Sequence, residues 1–581
     1  MTGVPFALHG LGVATGIAIG RVHLVSHALL EVPHYELPPE RLSEESARLD
    51  QAIAAVRLDL QQLKAQAASG TSAAQQELDA FIDLQQLLLT DPMLIDAARE
   101  RIMARGINAE WALAQQLDEL LGAFDQIEDP YLRERRHDII QTVERLMKEL
   151  RGLARPIRAR SDGWPTIIVA HDLSPADTIG FRGQRIGGFV TDIGSPTSHT
   201  AIVARSLKLP AIVGVRLART LLEDDDLVII DAHLGVLIAN PPPFLIEEYR
   251  LKKAEQELER SRLARLKTAP TTTLDGTTIE LLANIESPKD LPAARAAGAD
   301  GIGLYRTEFL FTGRRDRPSE EEQYQAYYEV VRGMKGKPVT IRTFDLGADK
   351  AFDPESVSSS SANPALGLRG IRYCLAEPSF FLTQLRAILR AAAHGPVKIL
   401  LPMVMTPHEI DRSRRLIDQA RQMLTEEGYN IPTAIPLGAM IEVPAAAIAL
   451  PAIARRVDFL SLGTNDLIQY TLAIDRQDDS VADLYDPCHP AVLKLIAGTL
   501  SYAARVNLSV SLCGELAGDP QFAWLLAALG LRQFSMHPDR ILEIRQRLRY
   551  ANLDELAAKA QRLIRLDEAH KIRETLARWF A

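Results

Sequence analysis

Two textures of apolar spacing divide the chain. From about Pro39 to Gly152, apolar residues recur at helical intervals among Leu, Ala, Gln, Glu and Arg, as in RLDQAIAAVRLDLQQLKAQ and AFIDLQQLLL. That pattern predicts four or more helices packed as hairpins. Residues 7–30 are instead apolar and punctuated by glycine, which predicts short strands and turns. Strand texture returns in PTIIVA, GGFVTD, PAIVGV and DLVIIDA, alternating with helical stretches such as SHTAIVARSL. An α/β domain follows, and the N-terminal strands complete it. Its expected bounds are residues 1–34 and 153–240, with the helical bundle of 35–152 inserted between them.

Three prolines at 241–243 close that unit. FLIEEYRLKKAEQELERSRLARLK then predicts a charged, solvated connecting helix within 241–269. Residues 270–581 contain eight strand candidates, each followed by a helical stretch. They are IELLANI, GIGLYR, VTIRTFD, VKILLPMV, IPLGAMIE, DFLSLGT, LSVSLCGE and RQFSM. Eight such units predict a closed (β/α)8 TIM barrel, with an open parallel sheet as the alternative. The expected fold is thus multidomain α/β.

Composition narrows the function. At 47% hydrophobic and 24% charged the chain reads as a soluble globular protein. No apolar run reaches the ~20 residues that span a bilayer, and Met1 to Gly10 lacks the pattern of a signal peptide. The net charge of −9 and the lack of a basic, aromatic-laced stripe argue against nucleic acid. Cys374, Cys488 and Cys513 are too few and scattered for a disulfide framework, so a cytoplasmic location is expected.

Chemistry concentrates where barrel strands end. Arg306 closes the second strand, Arg342 and Asp345 lie at the third, and Lys350 follows in the loop. Glu442 closes the fifth, Asn465 and Asp466 the sixth, and Cys513 the seventh, with Arg476 beyond. Converging arginines suit a multiply charged anion. Glu442 and Asp466 suit a divalent cation such as Mg²⁺. In the α/β domain, His199 follows a Gly-Ser-Pro-Thr-Ser turn at a predicted helix start, where backbone N–H groups favour an anion.

GSPTSHTAIVARSLKLPAIVG (194–214) resembles the phosphohistidine signature of the phosphoenolpyruvate-utilising enzymes, and DFLSLGTNDLIQYTLAIDR (458–476) resembles their barrel signature. LYRTEFLF, IRTFDLGADK, GAMIEVPAA and SLCGELAGD match in order. End to end the chain resembles the enzyme I family of the bacterial phosphotransferase system. The resemblance implies that His199 is phosphorylated, that Arg306, Arg342, Asn465, Asp466 and Arg476 bind phosphoenolpyruvate, and that Glu442 and Asp466 ligate Mg²⁺. It implies that Cys513 protonates the enolate, that the helical insertion docks the carrier protein HPr, and that the barrel forms a homodimer. His199 would then visit barrel and carrier in turn, so the α/β domain should swivel on connectors near 150–160 and 240–270. GSPTSH and GADK depart from the usual turn and loop, and residues 355–364 are unusually serine-rich. Alternatives are a regulatory, nitrogen-type relay enzyme, a dikinase or synthase relative, and a phosphoenolpyruvate sensor without catalysis.

Overall fold

The computed structural model describes residues 4–25, 32–67, 82–124, 130–152, 163–173, 185–194, 204, 209–311, 316–346, 364–475, 481 and 484–580. The chain divides into two compact units, Met1–Leu258 and Glu259–Ala581.

In the first unit, β1 (Phe6–His9), β2 (Leu11–Ala14) and β3 (Ile17–Leu24) join β4 (Thr166–Ala170), β5 (Ile186–Thr191), β6 (Ala211–Val213), β7 (Leu227–Asp231) and β8 (Val236–Ala239). They make one mixed sheet in the order β1-β8-β7-β3-β4-β5-β6-β2. β4 is buried along its whole length and pairs in parallel with β3 and β5. Such central strands carry unbroken apolar runs. β3 and β4 are neighbours in the sheet, yet a run of helices separates them in sequence: Leu42–Ala67, Ile95–Arg105, Ala109–Phe124 and Pro130–Leu150. Leu49, Ile53, Val56 and Leu60, spaced by three and four, place one helix face in the core of this bundle with Leu113, Val143 and Met147.

The segment expected to be a solvated connector is a helix, Pro243–Arg265. One face of its start is covered, although Phe244 is exposed: Tyr249 is buried and packs with Ile17, Ile19 and Ile229, joined by Leu245 and Ile246. Charge density along this segment hid the apolar face of its first two turns.

The second unit is the closed barrel. Its strands are β9 (Glu280–Ile285), β10 (Ile302–Tyr305), β11 (Val339–Arg342), β12 (Val397–Leu401), β13 (Leu437–Ile441), β14 (Phe459–Leu462), β15 (Ser509–Leu512) and β16 (Gln533–Met536). All neighbouring pairs are parallel, and β16 pairs with β9 to close the ring. Parallel closure puts every C-terminal strand end on one rim, so residues far apart in sequence share one mouth. Leu304 of β10, Leu400 of β12, Met440 of β13, Phe459 of β14 and Cys513 just beyond β15 form a separate buried cluster. None of the described helices is long and apolar enough to cross a membrane.

Candidate active site

Arg306 directly follows β10, Arg342 ends β11, Glu442 follows β13 and Cys513 follows β15. Asn465 and Asp466 lie in the first turn of the helix Thr464–Leu472, which starts just beyond β14. All six line one cavity of about 190 Å³. A larger one of about 750 Å³ also has Arg306 and Cys513 in its wall. His199 and Arg476, together with Lys350, lie outside the described residues.

The guanidinium groups are held in place by carboxylates. Arg342 Nη1 lies 2.9 Å from Asp345 Oδ2, and its Nη2 lies 3.1 Å from Glu308 Oε1. Arg306 Nη1 donates to Glu286 at 3.0 Å. Burial works against the Arg342 charge, but Glu308, Asp345, Glu442 and Asp466 raise its pKa above the ordinary arginine value.

Arg369 is a residue that the strand-end pattern does not flag. It follows no strand, and it reaches the cavity through tertiary contact. Its Nε and Nη2 donate to the two oxygens of Asp345 at 3.2 and 3.0 Å, while Nη1 lies 3.5 Å from Asp466 and donates to Tyr470 Oη at 3.1 Å. Asp345 thus splits its carboxylate between two arginines. A polar residue within reach of an acidic strand end was the sole available signal, and a serine-rich stretch precedes it in sequence.

Glu442 is fully buried, and its Oε1 accepts the N–H of Met403, a non-glycine residue at φ 57°. Such backbone conformations persist where the surroundings over-determine them. Burial first, then the charges of Asp345 and Asp466, push the Glu442 carboxyl up to about 8, with Arg342 and Arg369 pulling the other way. Two buried polar atoms among the lining groups, Glu442 Oε2 and Arg342 Nε, have no hydrogen-bond partner among the described residues. One suits a cation or donor and the other an anion.

Cys513 is buried at the same rim. Its Sγ accepts the Ser461 hydroxyl at 3.2 Å, and Asn284 Nδ2 donates to its carbonyl at 2.9 Å. Burial raises its pKa, with Ser461, Arg342 and Arg306 opposing, so the thiol is neutral at physiological pH. Asn465 exchanges two hydrogen bonds with Glu515: its amide donates to the carboxylate at 3.2 Å, and its oxygen accepts the Glu515 N–H at 2.9 Å. In the first unit, Gly194, at φ 125°, is the last described residue before His199. Nearby Asp192 is buried and accepts the Ala218 N–H at 2.7 Å.

Comparison with known proteins agrees with this architecture. Residues 260–553 match the family described as PEP-utilising enzyme, PEP-binding domain, residues 9–135 its N-terminal family and residues 163–235 its mobile domain. The chain is 51% identical over 563 residues to the phosphoenolpyruvate-protein phosphotransferase of Cupriavidus necator, covering 95% of this chain and 96% of that one. It is 38% identical over 579 residues to the protein of that name from Geobacillus stearothermophilus, covering 99% and 98%. The chain belongs to the phosphoenolpyruvate-protein phosphotransferase family of PEP-utilising enzymes.

Proposed function

We propose that this chain takes the phosphoryl group of phosphoenolpyruvate onto His199 and passes it to the histidine of an HPr-type carrier, releasing pyruvate. The observation that carries this reading is the pair of unpartnered buried atoms, Arg342 Nε and Glu442 Oε2, on one cavity in a chain that matches a phosphoenolpyruvate-protein phosphotransferase over 95% of its length.

Charge supports a small anion accompanied by a cation. Among the described lining residues, Arg306, Arg342 and Arg369 face Glu308, Asp345, Glu442 and Asp466. Three guanidinium groups face three carboxylates and the Glu442 carboxyl, which burial pushes up to about 8, so the described lining has little net positive charge to attract a phosphate and a carboxylate together. Arg476 would add one positive charge. Glu442 and Asp466 fit Mg²⁺, which takes one or two carboxylates and completes its shell with water and substrate oxygens. Among the described residues no cluster of three His, Cys, Asp or Glu forms a metal site of its own. The ion, when bound, would neutralise charge on the phosphoryl oxygens.

The chain's own groups then divide the work. Arg306, Arg342, Asn465 and Arg476 orient phosphoenolpyruvate so that its phosphorus faces the His199 Nε2 lone pair. The bridging P–O bond breaks as the N–P bond forms, leaving the enolate of pyruvate. The buried Cys513 thiol gives its proton to the methylene carbon, and the Ser461 hydroxyl stabilises the thiolate until solvent restores the proton. The phosphoryl group then moves from His199 to the carrier docked on the helical insertion, which requires the phosphohistidine domain to swivel. A homodimer through the barrel and a cytoplasmic setting belong to the same reading.

Incubating the full chain with labelled phosphoenolpyruvate and Mg²⁺ tests it. Acid-labile label should appear, move to an HPr-type carrier, and be abolished by His199→Ala with phosphoenolpyruvate binding retained. Stable binding without label would leave a sensor in place of an enzyme.

A further inference from the structure

We propose that Gln384 is a positioning residue for the phosphoenolpyruvate site, fixing through one carboxamide the C-terminal ends of β10 and β11, where Arg306 and Arg342 lie. This inference rests on the function proposed above for that site.

Gln384 lies on the helix Pro378–Ala392, among Phe380, Phe381, Leu385 and Ile388, and has no exposed surface. A carboxamide in such a layer is costly unless it is satisfied. Its oxygen accepts the N–H of Phe344 at 3.0 Å, and its Nε2 donates to Thr307 Oγ1 and to Tyr327 Oη, both at 3.2 Å. The backbone N–H of Phe344 can only donate, which fixes the orientation of the amide.

The partners give the arrangement its meaning. Thr307 directly follows Arg306, and Phe344 directly precedes Asp345, the acid that holds Arg342 and Arg369. Thr307 is itself fully buried, and its hydroxyl donates to the carbonyl of Arg342 at 3.0 Å. One chain of hydrogen bonds therefore runs from Gln384 through Thr307 to the main chain of Arg342. A second anchor lies behind it: Tyr327 Oη donates to Gln323 at 3.2 Å, and Gln323 donates to the carbonyl of Pro318 at 3.1 Å.

An apolar residue of the same volume would fill this layer as well as glutamine does. It would not tie the loop after β10 to the loop after β11, because dispersion contacts do not fix direction. The head of Arg342 is set by Asp345 and Glu308, and its main chain by Thr307. Small displacements of groups that align a reacting phosphoryl cost rate steeply.

Two variants of the full chain test this: Gln384→Met, which keeps volume, and Thr307→Val, which keeps shape. Loading of His199 from labelled phosphoenolpyruvate with Mg²⁺ gives kcat and KM, and label exchange between carrier and enzyme reports the step that bypasses the barrel. Each variant should lose about tenfold to a hundredfold in kcat/KM, with KM raised as well as kcat lowered and exchange unchanged. The double variant should lose no more than the worse single one, since both cut one chain of bonds. A folded variant within about twofold of wild type, or losses that multiply, would overturn the proposal. If Gln384→Met does not fold, Thr307→Val decides alone. A wild-type chain that takes no label overturns the proposed function and this inference with it, whereas unimpaired variants of a loading wild type overturn this inference alone.

Discussion

Asp345 bonds two arginines at once, and a carboxylate so occupied works as a mount rather than as a base. Asp275 shows the same economy away from the cavity. Its carboxylate accepts the Thr277 hydroxyl at 2.6 Å and the backbone N–H of Leu553 at 2.8 Å, at the first turn of the helix Leu553–Leu563. Partial burial pulls its pKa upward, but the bonds from Thr277, Leu553 and Thr273 outweigh it and set the value at about 2. A carboxylate with a lowered folded pKa stabilises fully above its unfolded value and loses that contribution as pH falls through the folded one. Asp275→Ala should therefore cost roughly 1 kcal/mol, a modest figure because the site is open to solvent. Urea unfolding should give the same difference at pH 8 and pH 5, shrinking below about pH 4; a difference that already changes between pH 8 and 5 would refute the assignment. At this scale the sequence was legible where a residue sits at a strand end, as with Arg306, Arg342, Glu442 and Cys513. Arg369 and Gln384 were not. Arg369 depends on a fold-back onto Asp345, while Gln384 resembles any polar position on an amphipathic helix until its neighbours are known.

Among elements, the eight barrel strands were legible because a strand covered on both faces is a continuous apolar run with one chemical residue at its end. β8 was not. It follows β7 through a tight turn in which Gly235 adopts φ 65° and falls just before the three prolines, so the run VLIA merged with the domain boundary. The barrel also has a packing constraint that pattern reading cannot supply. A Cβ built on Gly438 of β13 would lie 2.4 Å from ring carbons of Phe459 on β14. Phe459 is buried in the cluster of Leu304, Leu400 and Met440. Gly438→Ala should destabilise the barrel by about 1–3 kcal/mol through overpacking. Adding Phe459→Leu should recover part of that loss, read as a non-additive shift in the denaturation midpoint. Simple additivity would mean that the ring yields freely.

For the molecule as a whole, texture predicted an α/β domain interrupted by helices and eight β/α units, with an open parallel sheet as the alternative that the closed ring rules out, whereas the buried face of the linking helix was not legible. One compositional fact gains a use from the fold. All three cysteines, Cys374, Cys488 and Cys513, are free, buried and confined to the Glu259–Ala581 unit. Burial pushes the Cys488 thiol up to about 11 and raises the other two as well, so the reactive thiolate is scarce in the folded state. Nature has therefore placed three silent clocks in one half of the polypeptide and none in the other. Alkylation of the native protein by iodoacetamide should be slow at all three positions, and mass spectrometry of partially labelled chains would time the opening of the barrel without interference from the phosphohistidine half. Rapid modification of Cys513 alone, with the other two untouched, would mean that the rim breathes independently of the wall beneath it.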